Sequence, residues 1–149
     1  MQYQSPDRET LIRFRKFCRD SGMKMTPQRL EIFRQISNSN NHFSAEDVFN
    51  RVKEKLPTIS LDTIYLNLRM FENFGLLSRV YLEPGRSLFD HNLSHHHHLI
   101  CSECKTVKDI DFPGLDDLVI PETIRKWGTV HKKELKMEGV CSKCARKGK

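Results

Sequence analysis

The first half of the chain repeats apolar positions with a helical period. Over residues 8–20 the apolar side chains Leu11, Ile12, Phe14, Phe17 and Cys18 fall near the spacing that gathers side chains on one helix face, and Gly22 follows as a stop. Thr26-Pro27 reads as a helix start: a hydroxyl to cap, then a proline where the missing N–H costs nothing. Leu30, Ile32, Phe33 and Ile36 carry that helix over residues 27–36, and residues 37–41 form a polar loop. Ser44 with Asp47 three residues on predicts a capping box ahead of Val48, Val52 and Leu56, and Pro57 closes this third helix. Ser60 caps a fourth over residues 61–74, with Ile64, Leu68 and Phe71 inward and Gly75 at its end. Residues 76–82 and 87–89 then read as short strands around Glu83-Pro84-Gly85, a hairpin turn.

Helices followed by one hairpin suit a winged helix, with the helix before the hairpin as the reading element; a small helical bundle with an incidental hairpin is the plainer alternative. The pattern then changes. Residues 96–100, 106–111 and 129–138 read as strands, and residues 114–127 as a helix that Pro121 must break or kink. The fold class expected is α+β, with a winged-helix domain over residues 1–86 and a small α/β domain over residues 87–149. The basic end, residues 143–149, reads as frayed.

No apolar run approaches the roughly 20 residues of a membrane helix, and residues 1–8 lack an apolar signal stretch, so a cytoplasmic protein without a membrane partner is expected. The net charge of +6 suits a nucleic-acid partner without proving one. Residues 1–90 carry 14 basic and 11 acidic side chains and residues 91–149 carry 11 and 8, so charge alone does not choose the half that would meet DNA.

Four of the five cysteines fall in two pairs, Cys101/Cys104 and Cys141/Cys144; Cys18 stands alone and takes no role. Two Cys-x-x-Cys pairs can complete a closed tetrahedral thiolate site, which suits structural Zn2+; a redox pair or unconnected buried cysteines are the alternatives. The second signal is His95-His96-His97-His98. On a strand, His96 and His98 share one face and His95 and His97 the other. Asp90, Asp109 and His42 are candidates to converge with the His96/His98 pair, and imidazoles with two carboxylates suit Fe2+, Mn2+ or Zn2+. Taken singly each is an ordinary surface group, and four histidines in a row also describe a polar edge. The third signal is the helix after Ser60, whose exposed face would show Ser60, Thr63, Tyr65, Asn67 and Arg69, donors of the kind used on phosphates and base edges. An ordinary amphipathic helix is the alternative.

Together these residues resemble the ferric uptake regulator family over nearly the whole chain. The motifs that carry the resemblance are Met25-Thr26-Pro27-Gln28-Arg29, His42-x-Ser44-Ala45-Glu46-Asp47-Val48, Thr63-Ile64-Tyr65-x-Asn67-Leu68, Phe74-Gly75-Leu76-Leu77, Phe89-Asp90, and residues 95–100 running into Cys101-x-x-Cys104. The resemblance implies a winged-helix domain on double-stranded operator DNA, a C-terminal dimerisation domain and hence a homodimer. It implies structural Zn2+ on Cys101, Cys104, Cys141 and Cys144. It also implies a regulatory Fe2+ or Mn2+ between the domains on His42, Asp90, His96, His98 and Asp109, which in the family brings the winged helices into a DNA-competent arrangement.

Asp109 points to the peroxide-sensing branch, where the family typically has aspartate; iron sensors typically have glutamate. An open position on Fe2+ would admit peroxide, and oxidation of His42 or His96 would release the metal and the repressor. Mn2+ would fill the site without that chemistry. Leu66 departs from the family, whose residue there helps choose operators; it can touch a thymine methyl but copies neither usual pairing. His95, His97, Asp116 and His131 are candidates for a further metal site that some members carry, although His131 does not align cleanly. No enzyme activity and no small organic substrate are expected. The alternatives are an iron- or zinc-concentration sensor of the same family and, from another class, a mononuclear metal hydrolase, which lacks a glutamate in a helical zinc-protease motif.

Overall fold

A computed structural model describes residues 8–39, 42–83 and 85–147. The chain divides into two compact units, Met1–Leu93 and Ser94–Lys149. Asn40, Asn41 and Pro84, and with them part of the expected loop and turn, lie outside the described residues, as do residues 1–7 and 148–149.

The first unit runs α1 (Arg8–Ser21), α2 (Pro27–Ser37), α3 (Ala45–Lys53), α4 (Leu61–Asn73), β1 (Ser78–Glu83) and β2 (Arg86–Asp90). The hydroxyl caps form as the sequence predicts. Thr26 Oγ1 accepts from Arg29 N at 3.2 Å, and Ser44 and Asp47 make a reciprocal capping box. The Asp47 carboxyl is held below its usual range chiefly by the Ser44 backbone N–H that it accepts. At the end of α4, Gly75 takes φ +75°, open to a residue without Cβ, and the amides of Gly75 and Leu76 turn back to the carbonyls of Glu72 and Phe71.

The core is aromatic at its centre. Phe14 stacks on Phe33 at 4.7 Å between ring centroids and meets Phe71 edge-on at 6.0 Å. Ile32, Ile36, Val48, Val52, Ile64 and Leu68 close around these rings. Each fully buried side chain of this size contributes roughly 1.5–3 kcal/mol. β1 and β2 pair antiparallel from Ser78↔Asp90 to Glu83↔Arg86, and Phe43 bridges to Phe89 through two backbone hydrogen bonds. That bridge places His42 beside Asp90, and the pairing with β1 keeps β2 in the first unit, so the compact units part after Leu93, later than residue 86.

The second unit runs β3 (His97–Cys101), β4 (Val107–Ile110), α5 (Pro113–Asp116), α6 (Glu122–Trp127), β5 (Lys136–Gly139) and α7 (Ser142–Lys147). Its sheet order is β4-β3-β5, with β4 antiparallel and β5 parallel to β3. Three expectations change. The helix expected over residues 114–127 is two short ones, broken ahead of Pro121. The strand expected over residues 129–138 keeps only its last part, since Thr129 to Leu135 precede β5. Much of the supposedly frayed end is α7. The buried apolar side chains here are few among the described residues: Ile100, Cys101 and Val107. Leu118, Val119, Trp127, Met137 and Val140 are exposed. No described helix is long and apolar enough to cross a membrane.

Candidate metal centres and nucleic-acid interface

The end of β3 and the start of α7 bring the four paired cysteines together, with their sulfur atoms all within 4.8 Å of one another. Cys104 Sγ and Cys141 Sγ are 3.9 Å apart. A tetrahedral thiolate centre with Zn–S bonds of about 2.3 Å has sulfur–sulfur edges of about 3.8 Å, so the donor set fits that ion. Lys105 takes φ +58° in the turn that returns the chain from Cys104 to β4. Backbone N–H groups, first that of Cys141 and then that of Cys104, lower the Cys101 thiol to about 6. Cys144 is pushed up to about 12, chiefly because its thiol is shared with the Cys141 sulfur. Without a cation the cluster is therefore part thiolate and part thiol.

The histidine strand shows its two faces as expected: the rings of His96 and His98 lie 4.7 Å apart and those of His95 and His97 5.1 Å apart. His96 sits one residue ahead of β3, and His98 pairs with Asp109 across β4. His96 Nε2 is 3.1 Å from His98 Nε2, and Asp109 Oδ1 is 3.5 Å from the first and 3.8 Å from the second. The second nitrogen of each ring settles which tautomer is present. His96 Nδ1 lies 2.6 Å from the Ser94 carbonyl, which can only accept, so Nδ1 carries a proton. His98 Nδ1 lies 3.1 Å from Glu134 Oε1. Burial works against ionising Glu134, but Lys132 at 2.5 Å and then His98 outweigh it, so its carboxyl stays below the usual glutamate range and also accepts. In the neutral rings both Nε2 lone pairs then face each other beside a carboxylate. Two lone pairs at that separation repel unless a cation lies between them, so these three residues fit a metal ion. In the first unit, the side chains of His42 and Asp90, each about 5 % exposed, approach to 3.4 Å. Asp90 also accepts from the Asn92 amide at 2.7 Å.

The opposite face of β3 is wired differently. His95 Nε2 lies 2.6 Å and His97 Nε2 3.3 Å from Asp116 Oδ1. His97 is fully buried, and its Nδ1 accepts the Leu135 backbone N–H at 3.2 Å. The lone pair of neutral His97 is therefore on Nδ1 and its proton on Nε2. His131 is exposed and is not in this cluster. Lys133 Nζ instead donates to the carbonyls of Asp116 and Leu118.

On α4 the exposed stripe is Asp62, Tyr65, Leu66 and Arg69. Tyr65 Oη donates to Glu46 Oε1 at 2.8 Å, and that bond, with burial second, raises the phenol's pKa. The Ser60 hydroxyl is engaged as the cap, accepting from Thr63 N at 3.1 Å, and Thr63 is half-buried. Asn67 corrects the expectation of an exposed contact. It is 7 % exposed, donates to the Thr63 carbonyl at 2.7 Å and accepts from Arg29 Nε at 3.2 Å. Steps of two residues do not share a helix face; Asn67 falls three after Ile64 and four before Phe71, on the inward side. That spacing was readable in the sequence, whereas the partners Glu46, Arg29 and Glu134 carried no local signal.

Residues 20–138 match the model of the ferric uptake regulator family. The chain belongs to the ferric uptake regulator family. As a family member it is 32% identical over 131 residues to the peroxide-responsive repressor PerR of Staphylococcus epidermidis, covering 87% of each chain. It is 33% identical over 129 residues to the peroxide operon regulator of Bacillus subtilis, covering 87% of this chain and 89% of that one. Its fold is similar to that of the Helicobacter pylori ferric uptake regulator, described as having three functional metal binding sites. That likeness has a TM-score of 0.76 at 21% identity over 97% of both chains.

Proposed function

We propose that this chain is a homodimeric, metal-dependent DNA-binding repressor that responds to hydrogen peroxide. The observation that carries the reading is the inward-facing Nε2 atoms of His96 and His98, 3.1 Å apart beside Asp109, in a chain whose relatives include peroxide regulators. One Fe2+ or Mn2+ ion takes His42, Asp90, His96, His98 and Asp109 as its ligands, and one Zn2+ takes Cys101, Cys104, Cys141 and Cys144. Histidine and carboxylate donors suit iron and manganese, and four thiolates suit a closed zinc centre. Iron, when bound, supplies the one-electron reduction of peroxide. The protein's part is to hold the His42 or His96 ring where it is the first group oxidised. An oxidised ring is a poorer ligand, so the ion and then the operator are released.

Tyr65 and Arg69, exposed on α4, make the operator contacts, with Ser60 and Thr63 at the start of that helix. Glu46 accepts the Tyr65 O–H, so the phenol oxygen faces DNA as an acceptor. The second unit's exposed apolar side chains and few buried ones support pairing with a second copy. Neither catalysis nor a small organic substrate enters this reading.

The test compares Fe2+-loaded and Mn2+-loaded protein on operator DNA before and after low peroxide, with peptide masses. The iron form should leave DNA and gain mass on the peptides holding His42 or His96, while the manganese form should do neither. Binding that follows the metal supplied and ignores peroxide would make the chain a metal-concentration sensor. Asp109→Glu should blunt the peroxide response while leaving Mn2+-dependent operator binding within a few-fold of the unmodified protein. Equal peroxide sensitivity of the two proteins counts against Asp109 as the residue that sets the branch.

A further inference from the structure

His96 and His98 obtain the same tautomer by different means. For His96 the acceptor is the Ser94 main-chain carbonyl, fixed by the backbone at 2.6 Å. For His98 it is a side chain 36 residues further on, Glu134, in the segment leading into β5. A neutral imidazole left to itself can carry its proton on either nitrogen, and only the Nδ1–H form leaves Nε2 open to a metal. The His98 side chain is about 5 % exposed, so little water reaches Nδ1 to substitute for a missing acceptor.

We propose that Glu134 is a positioning residue: its carboxylate holds the Nδ1 proton of His98 and so aims the Nε2 lone pair at the regulatory ion. This rests on the reading above that His98 is a ligand of that ion. Three features support it. The contact joins an anionic acceptor to a buried ring nitrogen at 3.1 Å. The His98 amide donates to the Leu135 carbonyl at 3.0 Å, so the residue after Glu134 is tied by its backbone to the residue it serves. Lys132 Nζ lies on the other carboxylate oxygen, Oε2, at 2.5 Å, which leaves Oε1 for the ring. A carboxylate behind a ligand histidine also makes the ring a stronger donor, and removing such a partner typically weakens metal binding about 10- to 100-fold. Glu134 itself touches no ion in this arrangement; it acts through His98.

The experiment uses the full chain with zinc retained. Mn2+ affinity is measured for the unmodified protein, Glu134→Ala, Glu134→Gln and His98→Ala, and the His98 tautomer is read from 15N shifts before Mn2+ is added. Glu134→Ala should weaken Mn2+ binding about 10- to 100-fold and shift His98 toward the Nε2–H form, with the melting temperature of the zinc-loaded protein little changed. Glu134→Gln keeps a carbonyl acceptor and should restore the tautomer and much of the affinity. His98→Ala should lose more affinity than Glu134→Ala. If His98→Ala binds Mn2+ as tightly as the unmodified protein, the ligand reading fails and this proposal with it. If His98→Ala loses affinity while Glu134→Ala changes neither affinity nor tautomer, the ligand reading stands and Glu134 is only a surface charge paired with Lys132.

Discussion

β3 carries imidazoles at one end and a cysteine at the other, and the two ends differ in what they need from a cation. At the cysteine end, four sulfurs converge with Cys101 lowered to about 6 and Cys144 pushed up to about 12, so the donor set is complete only when a divalent ion displaces the remaining protons. The unit around it has few buried apolar side chains to hold it otherwise. At the imidazole end the proposed ligands are rings whose Nδ1 atoms donate to the Ser94 carbonyl and the Glu134 carboxylate, with one carboxylate at the side. On the reading proposed above, a cation at the cysteine end is part of the scaffold and one at the imidazole end can come and go, which is what a sensor requires.

Removing a ligand at each end is the most direct way to break this comparison. Cys101→Ser should have the largest effect: zinc is lost and residues 94–149 no longer melt cooperatively, while the helices of the first unit persist. Amide protection read separately over the two units checks it, and a zinc-free second unit as protected as before would remove the contrast. His96→Ala should keep zinc, secondary structure and melting temperature but lose Mn2+ affinity by about 100-fold or more, above the usual loss for a supporting residue, together with metal-dependent operator binding. An unfolded His96→Ala protein would make the imidazole end a scaffold as well.

How far the sequence foretold these ends depends on the range of the interactions. The caps at Thr26, Ser44 and Ser60 are bonds across three residues, and each was readable locally and formed. The cysteine pairs were legible because each Cys-x-x-Cys is itself a local grip. The two faces of the histidine run followed from strand alternation. The tautomers were not legible, since they depend on Ser94 as an acceptor, on Glu134 36 residues away and on the Leu135 amide. The second unit's elements also depend on distant partners. Val130, Leu135 and Met137 alternate imperfectly with charged residues, and only the stretch that pairs with β3 from His98↔Lys136 to Cys101↔Gly139 becomes a strand. Asn67 is polar, but its position three residues after Ile64 and four before Phe71 puts it on the inward side of α4.

The comparison sharpens with pH. The folded-state thiol of Cys101 is lower than the ordinary value, so its thiolate is present above about 6 and is lost as pH falls through that point. Zinc affinity should therefore fall as pH drops from 8, because protons compete for the Cys144 sulfur, and fall more steeply once pH passes through about 6. Cys144, pushed up to about 12, is still protonated in metal-free protein at pH 8, so zinc binding there should release protons. Competition with a chromophoric chelator across this range, together with proton release in weak buffer, measures both. Zinc affinity independent of pH between 8 and 5 would contradict the assignment of thiolate character.

The smallest expected effect divides the imidazole end itself. His97 sits between two proposed ligands and is fully buried, so a reading by position alone would count it with them. Its wiring says otherwise: Nδ1 accepts from Leu135 N, which leaves the neutral ring with a proton, not a lone pair, on the Nε2 that faces Asp116. It fastens the segment before β5 to β3. His97→Ala should then leave Mn2+ affinity within a few-fold of the unmodified protein but cost about 1–3 kcal/mol of stability, because it empties a fully buried position and strands the part-buried Leu135 N–H. His97→Asn, whose side-chain oxygen can stand where Nδ1 stood, should recover part of that loss. Denaturant unfolding with zinc retained gives the stability, and Mn2+ titration gives the affinity. A His97→Ala protein of unchanged stability that has lost its manganese would place His97 among the ligands and erase the distinction between the two faces of the strand.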